Sequence, residues 1–211
     1  MAERNDRHTP GKGAVRENKV SKDRNRIRMP PTPTGDALSE SPLVALVTGA
    51  NRGIGFEICR QLAARRFAVL LTARDGDKAR TAATKLSKVG TVEPLPLDVA
   101  DANSIKDAAV EVASRYGRLD VLINNAGINY DTWETVENAD INGTVMETIA
   151  TNLLGPWRLC QAFLPLLRKS QAGRIVNVSS ESGSLAEMGA GPPAYQVTKA
   201  APECDDAHPS G

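Results

Sequence analysis

One stretch of the chain decides its fold: Val44-Ala45-Leu46-Val47-Thr48-Gly49-Ala50-Asn51-Arg52-Gly53-Ile54-Gly55. Its first four residues are consecutive and apolar, which is typical of a strand buried on both faces. The glycines that follow let the backbone turn sharply and approach a pyrophosphate group. Ile54, Ile58 and Leu62 then recur every four residues and predict a helix. The N-terminus of such a helix presents free N–H groups to an anion.

The region that follows alternates between short apolar runs and longer helical segments. Predicted strands cover residues 43–48, 67–73, 91–97, 119–124 and 174–179. A second apolar stripe consists of Ile105, Ala109, Val112 and Ala113, and a long apolar-rich helix is predicted from about Val145 to Arg168. This alternation predicts an α/β fold, a doubly wound parallel sheet of the Rossmann type with right-handed crossovers.

Length and composition exclude several classes of protein. A chain of 211 residues allows one domain, with or without a tail. No apolar run approaches the roughly 20 residues that span a bilayer, so we expect no membrane partner. The net charge of +1 gives no electrostatic argument for nucleic acid.

Cysteine and histidine placement argues against metal sites and disulfide frameworks. Cys59, Cys160 and Cys204 lack the spacing of either, which suits a reducing compartment, and we expect a cytoplasmic protein. The histidines are His8 and His208, near the chain ends, so we expect no metal site and no histidine-based triad.

Residues 1–40 differ in composition from the rest. They are rich in Arg, Lys, Asn, Asp and Pro and poor in aliphatic residues, so we expect a disordered tail that precedes a domain over 41–201. The tail has no apolar segment of a secretory signal. Two alternatives stay open: translation begins at Met29, or residues 1–28 form a basic arm that binds nucleic acid.

Further motifs follow the glycine turn in a fixed order. Asp98 comes after the third predicted strand, Asn124-Asn125-Ala126-Gly127 after the fourth, Asn152 in the long helix, and Tyr195 four residues before Lys199. Over residues 43–201 the chain resembles the short-chain dehydrogenases/reductases, in their compact, carbonyl-reductase-like branch. The resemblance implies a dinucleotide held by the following residues: Gly49, Asn51, Arg52, Gly53, Ile54, Gly55, Asp98, Val99, Asn125, Ala126 and Gly127.

Two arginines favour NADP(H) over NAD(H). Arg74 follows the second predicted strand, where a carboxylate would bind the ribose hydroxyls of NAD, and Arg52 lies within the glycine turn. Two guanidinium groups can make forked contacts to a 2′-phosphate. The alternative is that both are solvated surface arginines. Asp75 lies beyond Arg74 and is expected to point to solvent.

The resemblance also implies the reaction centre, a carbonyl–alcohol interconversion by hydride transfer. Tyr195 and Lys199 share one face of a helix. Tyr195 would give a proton to the carbonyl oxygen, Lys199 would bind the nicotinamide ribose and favour the phenolate, and Asn152 would support a proton relay. Ser180 would hold the substrate oxygen, with Ser179 as its competitor. The interval from Ser180 to Tyr195 is long for the family, so we expect a loop expansion over 189–193.

The polar stretch 128–143 contains Tyr130 and Trp133 and follows the fourth predicted strand. At the carboxyl edge of a parallel sheet it could shape the mouth of a substrate site. It could equally be a solvated connection, and we favour that interpretation.

The resemblance stops after Ala201. Pro202 cannot continue a helix, and a one-base insertion would explain the sequence of 202–211. We therefore expect an aberrant tail over 202–211, a domain without its last strands, an exposed and aggregation-prone fifth strand, and weak or no turnover. Longer relatives are expected to be homo-oligomers. The two remaining hypotheses are an oxidoreductase for a small carbonyl or alcohol, and a non-catalytic NADP-binding remnant.

Overall fold

Five parallel strands form the sheet in the computed structural model, which describes residues 41–184, 186 and 191–201. They are β1 (Val44–Val47), β2 (Ala68–Ala73), β3 (Val92–Pro96), β4 (Val121–Asn124) and β5 (Arg174–Asn177). The order is β3-β2-β1-β4-β5, so β2 and β3 lie on one side of β1, and β4 and β5 lie on the other. Ligands of doubly wound sheets bind at this switch point, beyond the carboxyl ends of the strands. All five predicted strands are confirmed, with slightly shorter bounds.

Helices connect the strands and cover both faces of the sheet. They are α1 (Gly53–Ala64), α2 (Gly76–Leu86), α3 (Ala102–Tyr116), α4 (Met146–Ile149), α5 (Gly155–Leu167) and α6 (Pro193–Ala200). A π-helix precedes α4 at Ile141–Val145 and another follows it at Ala150–Leu154, while a 3₁₀-helix occupies Glu181–Gly183. The predicted long helix is therefore present, but it begins earlier than expected and contains two π-helical segments, which are frequent at functional sites.

Alternate residues of the strands pack into two separate cores. Val44 and Leu46 of β1 face α3 and α5, whose Ile105, Val112 and Phe163 are buried there. The intervening strand residues face α1 and α2; the buried members of this second core include Ala45, Val47, Cys59, Leu62, Ala79 and Leu86. Burial of both strand faces is the property that the consecutive apolar runs indicated. The doubly wound α/β fold is confirmed.

Two predicted helix stripes need correction. Ile54 is 66% exposed, because it lies in the first turn of α1, before the buried residues Gly55 and Cys59. In α3 the fully buried residues are Ile105, Ala108 and Val112; the predicted Ala109 packs against the core only partly buried, and Ala113 is exposed. Ala108 lies three residues after Ile105 and four before Val112, which is the spacing of one helix face.

The predictions for residues 1–40 and 202–211 concern segments that lie outside the described residues, as does part of the expected loop expansion over 189–193. β5 pairs with β4 and forms one edge of the sheet in the described part of the chain. None of the helices described here is long and apolar enough to cross a bilayer. Across the same residues, no cluster of three or more metal-ligating side chains occurs.

Candidate active site

The glycine turn packs closely against the segment that follows β4. Gly49 has a φ of 61°, and a Cβ there would lie 2.9 Å from the Cα of Ala126. A Cβ at Gly55 would overlap the side-chain amide of Asn125. Gly53, at a φ of 62°, would meet nothing within 4 Å. The inner side of the turn therefore has no room for a side chain, while its outer side is open.

A threonine at the end of β1 joins the turn to β4. The Oγ1 of Thr48 accepts hydrogen bonds from the backbone N–H groups of Asn125 and Ala126, both at 2.9 Å. The side-chain amide of Asn125 donates in return to the carbonyl of Thr48 at 2.8 Å. Sequence reasoning gave Thr48 no role, although a hydroxyl at the end of an apolar strand was the available signal.

The N-terminus of α1 suits an anion. Arg52 occupies the N-cap position with an extended backbone, and no side-chain hydrogen bond to this helix end occurs among the described residues. The first turn also contains no acidic residue. Its N–H groups and the positive end of the helix dipole can therefore receive a phosphate group. These features fit the diphosphate of a dinucleotide.

Arg52, at the N-cap of α1, and Arg74 are both exposed. Arg74 follows β2, which is the neighbour of β1 in the sheet. Asp75, the adjacent carboxylate, is solvent-exposed as expected, and it also has a local structural role. Its Oδ1 accepts from the N–H groups of Asp77 and Lys78 and caps α2, and these bonds lower its pKa. The Asp75 carboxylate is therefore held at the N-terminus of α2.

Asp98 and Val99 lie beyond the end of β3. The Oδ1 of Asp98 accepts from the N–H of Ala100 at 3.0 Å. Val99 is buried, and a Cβ at Gly155 would lie 2.9 Å from the Val99 carbonyl. The structure thus brings both residues to the carboxyl edge of the sheet, with Val99 packed against the start of α5.

Asn152 connects three segments from within the second π-helix. Its Oδ1 accepts from the N–H of Ile128 at 2.9 Å, and its Nδ2 donates to the carbonyl of Ile128 at 2.8 Å. The same Nδ2 lies 3.3 Å from the Oγ1 of Thr198. The buried amide therefore holds the segment after β4 against α6.

Tyr195 and Lys199 lie on α6, and the Lys199 Nζ is 5.8 Å from the centre of the Tyr195 ring. Nζ donates to the carbonyl of Val178, just beyond β5, at 2.9 Å. Burial lowers the pKa of Lys199. The ammonium is thus anchored at a defined position beside the aromatic ring, within the range of a cation–π contact.

The two serines after β5 have different surroundings. The Oγ of Ser180 accepts from the N–H of Ser182 at 3.2 Å and caps the 3₁₀-helix. Ser179 is exposed and lines the cavity next to Lys199. Gly183, which the sequence motifs did not single out, packs against the backbone of Lys199 with no room for a Cβ. The choice between the serines stays a prediction.

A cavity of about 410 Å³ is lined by residues that include Asn152, Ser179, Lys199 and Trp157. Tyr195 and Ser180 are not among its lining residues. Asn124 lies at its wall, and its Nδ2 donates to the Oδ1 of Asn177 at 2.8 Å, which ties β4 to β5.

The segment after β4 is only partly the solvated connection that we favoured. Trp133 is 91% exposed, but Asp131, two residues earlier, is fully buried. Its Oδ2 accepts from the N–H groups of Ala194 and Tyr195 at 2.7 and 3.2 Å. This polar stretch therefore contacts the helix of Tyr195.

The family model described as short chain dehydrogenase matches residues 43–203. This chain belongs to the short-chain dehydrogenase family. It is 43% identical over 166 residues to a (+)-neomenthol dehydrogenase of Arabidopsis thaliana, a match covering 69% of this chain and 56% of the relative. It is 46% identical over 147 residues to carbonyl reductase [NADPH] 1 of Bos taurus, with 68% and 50% covered. The chain spans about half the length of the curated relatives it matches.

Solved structures give the same family. The NADPH-bound carbonyl reductase from chicken fatty liver superposes with a TM-score of 0.69 at 35% identity, covering 76% of this chain and 69% of that one. A metagenomic short-chain oxidoreductase in complex with NADP gives a TM-score of 0.68 at 35% identity, covering 74% and 70%. This chain is thus similar in fold and sequence to two proteins whose structures contain NADP or NADPH.

Proposed function

We propose that this short-chain dehydrogenase interconverts a small-molecule carbonyl and its alcohol with NADP(H) as the cofactor. One observation carries the proposal: the glycine turn and the Tyr195–Lys199 helix meet at one short segment. Ala126 contacts Gly49, and a Cβ on the next residue, Gly127, would lie 3.7 Å from the Lys199 Nζ. The residues that would hold a dinucleotide therefore connect the N-terminus of α1 with the helix of Tyr195.

The chain's own residues account for each part of the cofactor. The diphosphate binds at Gly49 to Gly55 and the uncapped N-terminus of α1. Arg52 and Arg74 bind a 2′-phosphate, a preference supported by the engagement of Asp75 in capping α2 and by the NADP-bound relatives. Asn125, Ala126 and Gly127 form the wall beside the ribose.

The reaction needs a hydride and a proton. When bound, NADPH would supply the hydride that reduces the carbonyl carbon. Tyr195 donates the phenolic proton to the carbonyl oxygen, so that an alcohol forms, and the Lys199 ammonium stabilises the phenolate left behind. Ser180 holds the substrate oxygen, with Ser179 as the alternative. Asn152 binds both Ile128 and Thr198, and so holds the segment after β4 in place against α6.

The experiment compares NADPH and NADH binding by fluorescence titration, and then NADPH oxidation with a panel of ketones and aldehydes. We expect a weak NADPH-dependent reduction that falls by at least about a hundredfold in Tyr195→Phe, with NADPH binding retained. Tyr116→Phe, a tyrosine on α3, is the matched control and keeps wild-type turnover. NADPH binding without any reduction would instead support a non-catalytic nucleotide-binding protein. Absence of binding would contradict both functions.

A further inference from the structure

The helix that carries Tyr195 and Lys199 cannot cap its own N-terminus. Pro192 occupies the N-cap position and offers no side-chain acceptor, and Pro193 at the first helical position has no N–H. The first N–H groups that need partners therefore belong to Ala194 and Tyr195. A side chain at the N-cap usually accepts from these two positions.

Asp131 supplies the missing cap from a distant part of the chain. Its Oδ2 lies 2.7 Å from the Ala194 nitrogen and 3.2 Å from the Tyr195 nitrogen, across sequence separations of 63 and 64 residues. A carboxylate that accepts backbone N–H groups at the positive end of a helix makes charge-assisted bonds, which are stronger than neutral ones.

The burial of Asp131 separates it from the acidic residues on the surface of the same segment. Asp131 is fully buried, whereas Glu137 and Asp140 of the same segment are exposed. Burying a carboxylate is costly unless it is hydrogen-bonded, so this placement indicates that the bonds to α6 compensate the cost. Its other oxygen, Oδ1, has no protein partner among the described residues.

Both backbone groups of Tyr195 are held. The N–H is bonded to Asp131, and the carbonyl accepts from the Oγ1 of Thr198 at 2.9 Å. Thr198 in turn is bonded to Asn152, which clamps Ile128, three residues before Asp131. The segment after β4 is therefore joined to α6 at two points. Asp131 binds the N-terminal N–H groups of the helix, and Asn152 links Ile128 to Thr198.

We propose that Asp131 is a positioning residue, which fixes the axial position and rotation of α6 so that Tyr195 and Lys199 face the cofactor segment. The catalytic part of this inference rests on the proposed function. The structural part, a carboxylate tether on α6, is measurable without turnover.

The test uses hydrogen–deuterium exchange of the full chain, read by mass spectrometry on peptides that cover α6, together with kcat, KM and the NADPH Kd. In Asp131→Ala we expect the α6 amides to exchange about tenfold faster, because the helix loses one cap. We expect kcat to fall by about tenfold as well. The NADPH Kd changes by less than about twofold, because the glycine turn is untouched. A purely structural role would lower the amount of folded protein and leave the kcat of that folded fraction unchanged.

Two further variants make the result specific. Asp131→Asn keeps a neutral oxygen acceptor and restores most, but not all, of the protection and of kcat. Asp140→Ala is the matched control, because Asp140 caps the first π-helix by accepting from the Gly143 N–H and lies on the surface of the same segment. It leaves α6 exchange and kcat at the wild-type values.

Unchanged α6 exchange in Asp131→Ala, or equal effects of Asp140→Ala, would overturn the tether. Should Asp131→Ala fail to fold, Asp131→Asn decides the same point: faster α6 exchange supports the tether and wild-type exchange overturns it. A wild-type chain that reduces no carbonyl refutes the proposed function alone, and the exchange comparison still decides the tether.

Discussion

The Lys199 ammonium lies against the backbone of Gly127: a Cβ on this glycine would be 3.7 Å from Nζ and 3.4 Å from the Asn152 Oδ1. Gly127 is thus the place where the segment after β4 meets both the helix of Tyr195 and the π-helix of Asn152. Because the preceding residue, Ala126, packs on Gly49, the nucleotide turn and the reaction centre are joined through two consecutive residues.

The glycines of the turn should respond differently to a methyl group. Gly55→Ala places a Cβ 2.9 Å from the Ala50 Cα and against the Asn125 amide, so we expect a loss of about 3 kcal/mol of unfolding free energy and weaker NADPH binding. Gly53→Ala meets no atom and costs only its left-handed backbone, about 1 kcal/mol. Chemical denaturation of both variants measures the difference, and equal losses would contradict the packing described.

The preference for NADPH should depend on two arginines. Removing Arg52 or Arg74 deletes charge-assisted bonds to the 2′-phosphate, so we expect the NADPH Kd to rise by about 10- to 100-fold for each alanine variant. The NADH Kd should change little. Arg80→Ala, an exposed arginine paired with Asp77 on α2, is the control. If the Kd values of NADPH and NADH rose by the same factor, these arginines would not be contacting the 2′-phosphate.

The hydroxyl of Thr48 should contribute strongly to the stability of the folded chain. Thr48→Val removes the acceptor of two N–H groups, and we expect a loss of about 2–3 kcal/mol in unfolding free energy. Thr132→Val, in the exposed part of the segment after β4, should cost less than about 0.5 kcal/mol. Urea denaturation compares the two. A Thr48→Val protein as stable as the wild type would mean that water replaces the hydroxyl.

Lys199 should give the folded protein a specific pH dependence. Burial lowers its pKa below the usual 10.5, so the folded chain releases this proton at a lower pH than the unfolded chain. Between the two pKa values the unfolded chain binds more protons, and the unfolding free energy rises with pH through that window. Lys199→Met should flatten this rise, whereas the exposed Lys106→Met should keep it. Denaturation curves from about pH 8 to 10.5 measure the slopes; an equal slope in Lys199→Met would place the effect elsewhere.

The fold was readable from the sequence because its signals are local. Consecutive apolar residues such as Val44 to Val47 are buried on both faces, and the glycine turn follows immediately. The cap of α2 by Asp75 is equally local, since an aspartate directly before a helix is a typical N-cap; only the exposure of this carboxylate was expected from the sequence, and the structure also has it.

The contacts that complete the site were not readable in the same way. Asp131 lies in a polar segment without periodicity, and its partners are 63 and 64 residues away. The exposure of Ile54 depends on where α1 begins relative to the end of β1, which a periodic pattern does not specify. The roles of Ser180 and Asn152 stay predictions, although the bonds of Asn152 give it a position that holds α6 and the segment after β4 together.

The most direct test of hydride transfer from NADPH to a carbonyl uses a deuterium label. NADPH that carries deuterium at the transferable position of the nicotinamide is incubated with the full chain and a panel of ketones and aldehydes, and the products are analysed by mass spectrometry. We expect deuterium on the carbinol carbon of at least one product, with transfer reduced by at least about a hundredfold in Tyr195→Phe. Tight NADPH binding with no deuterium in any product, or equal transfer in Tyr195→Phe, would contradict it.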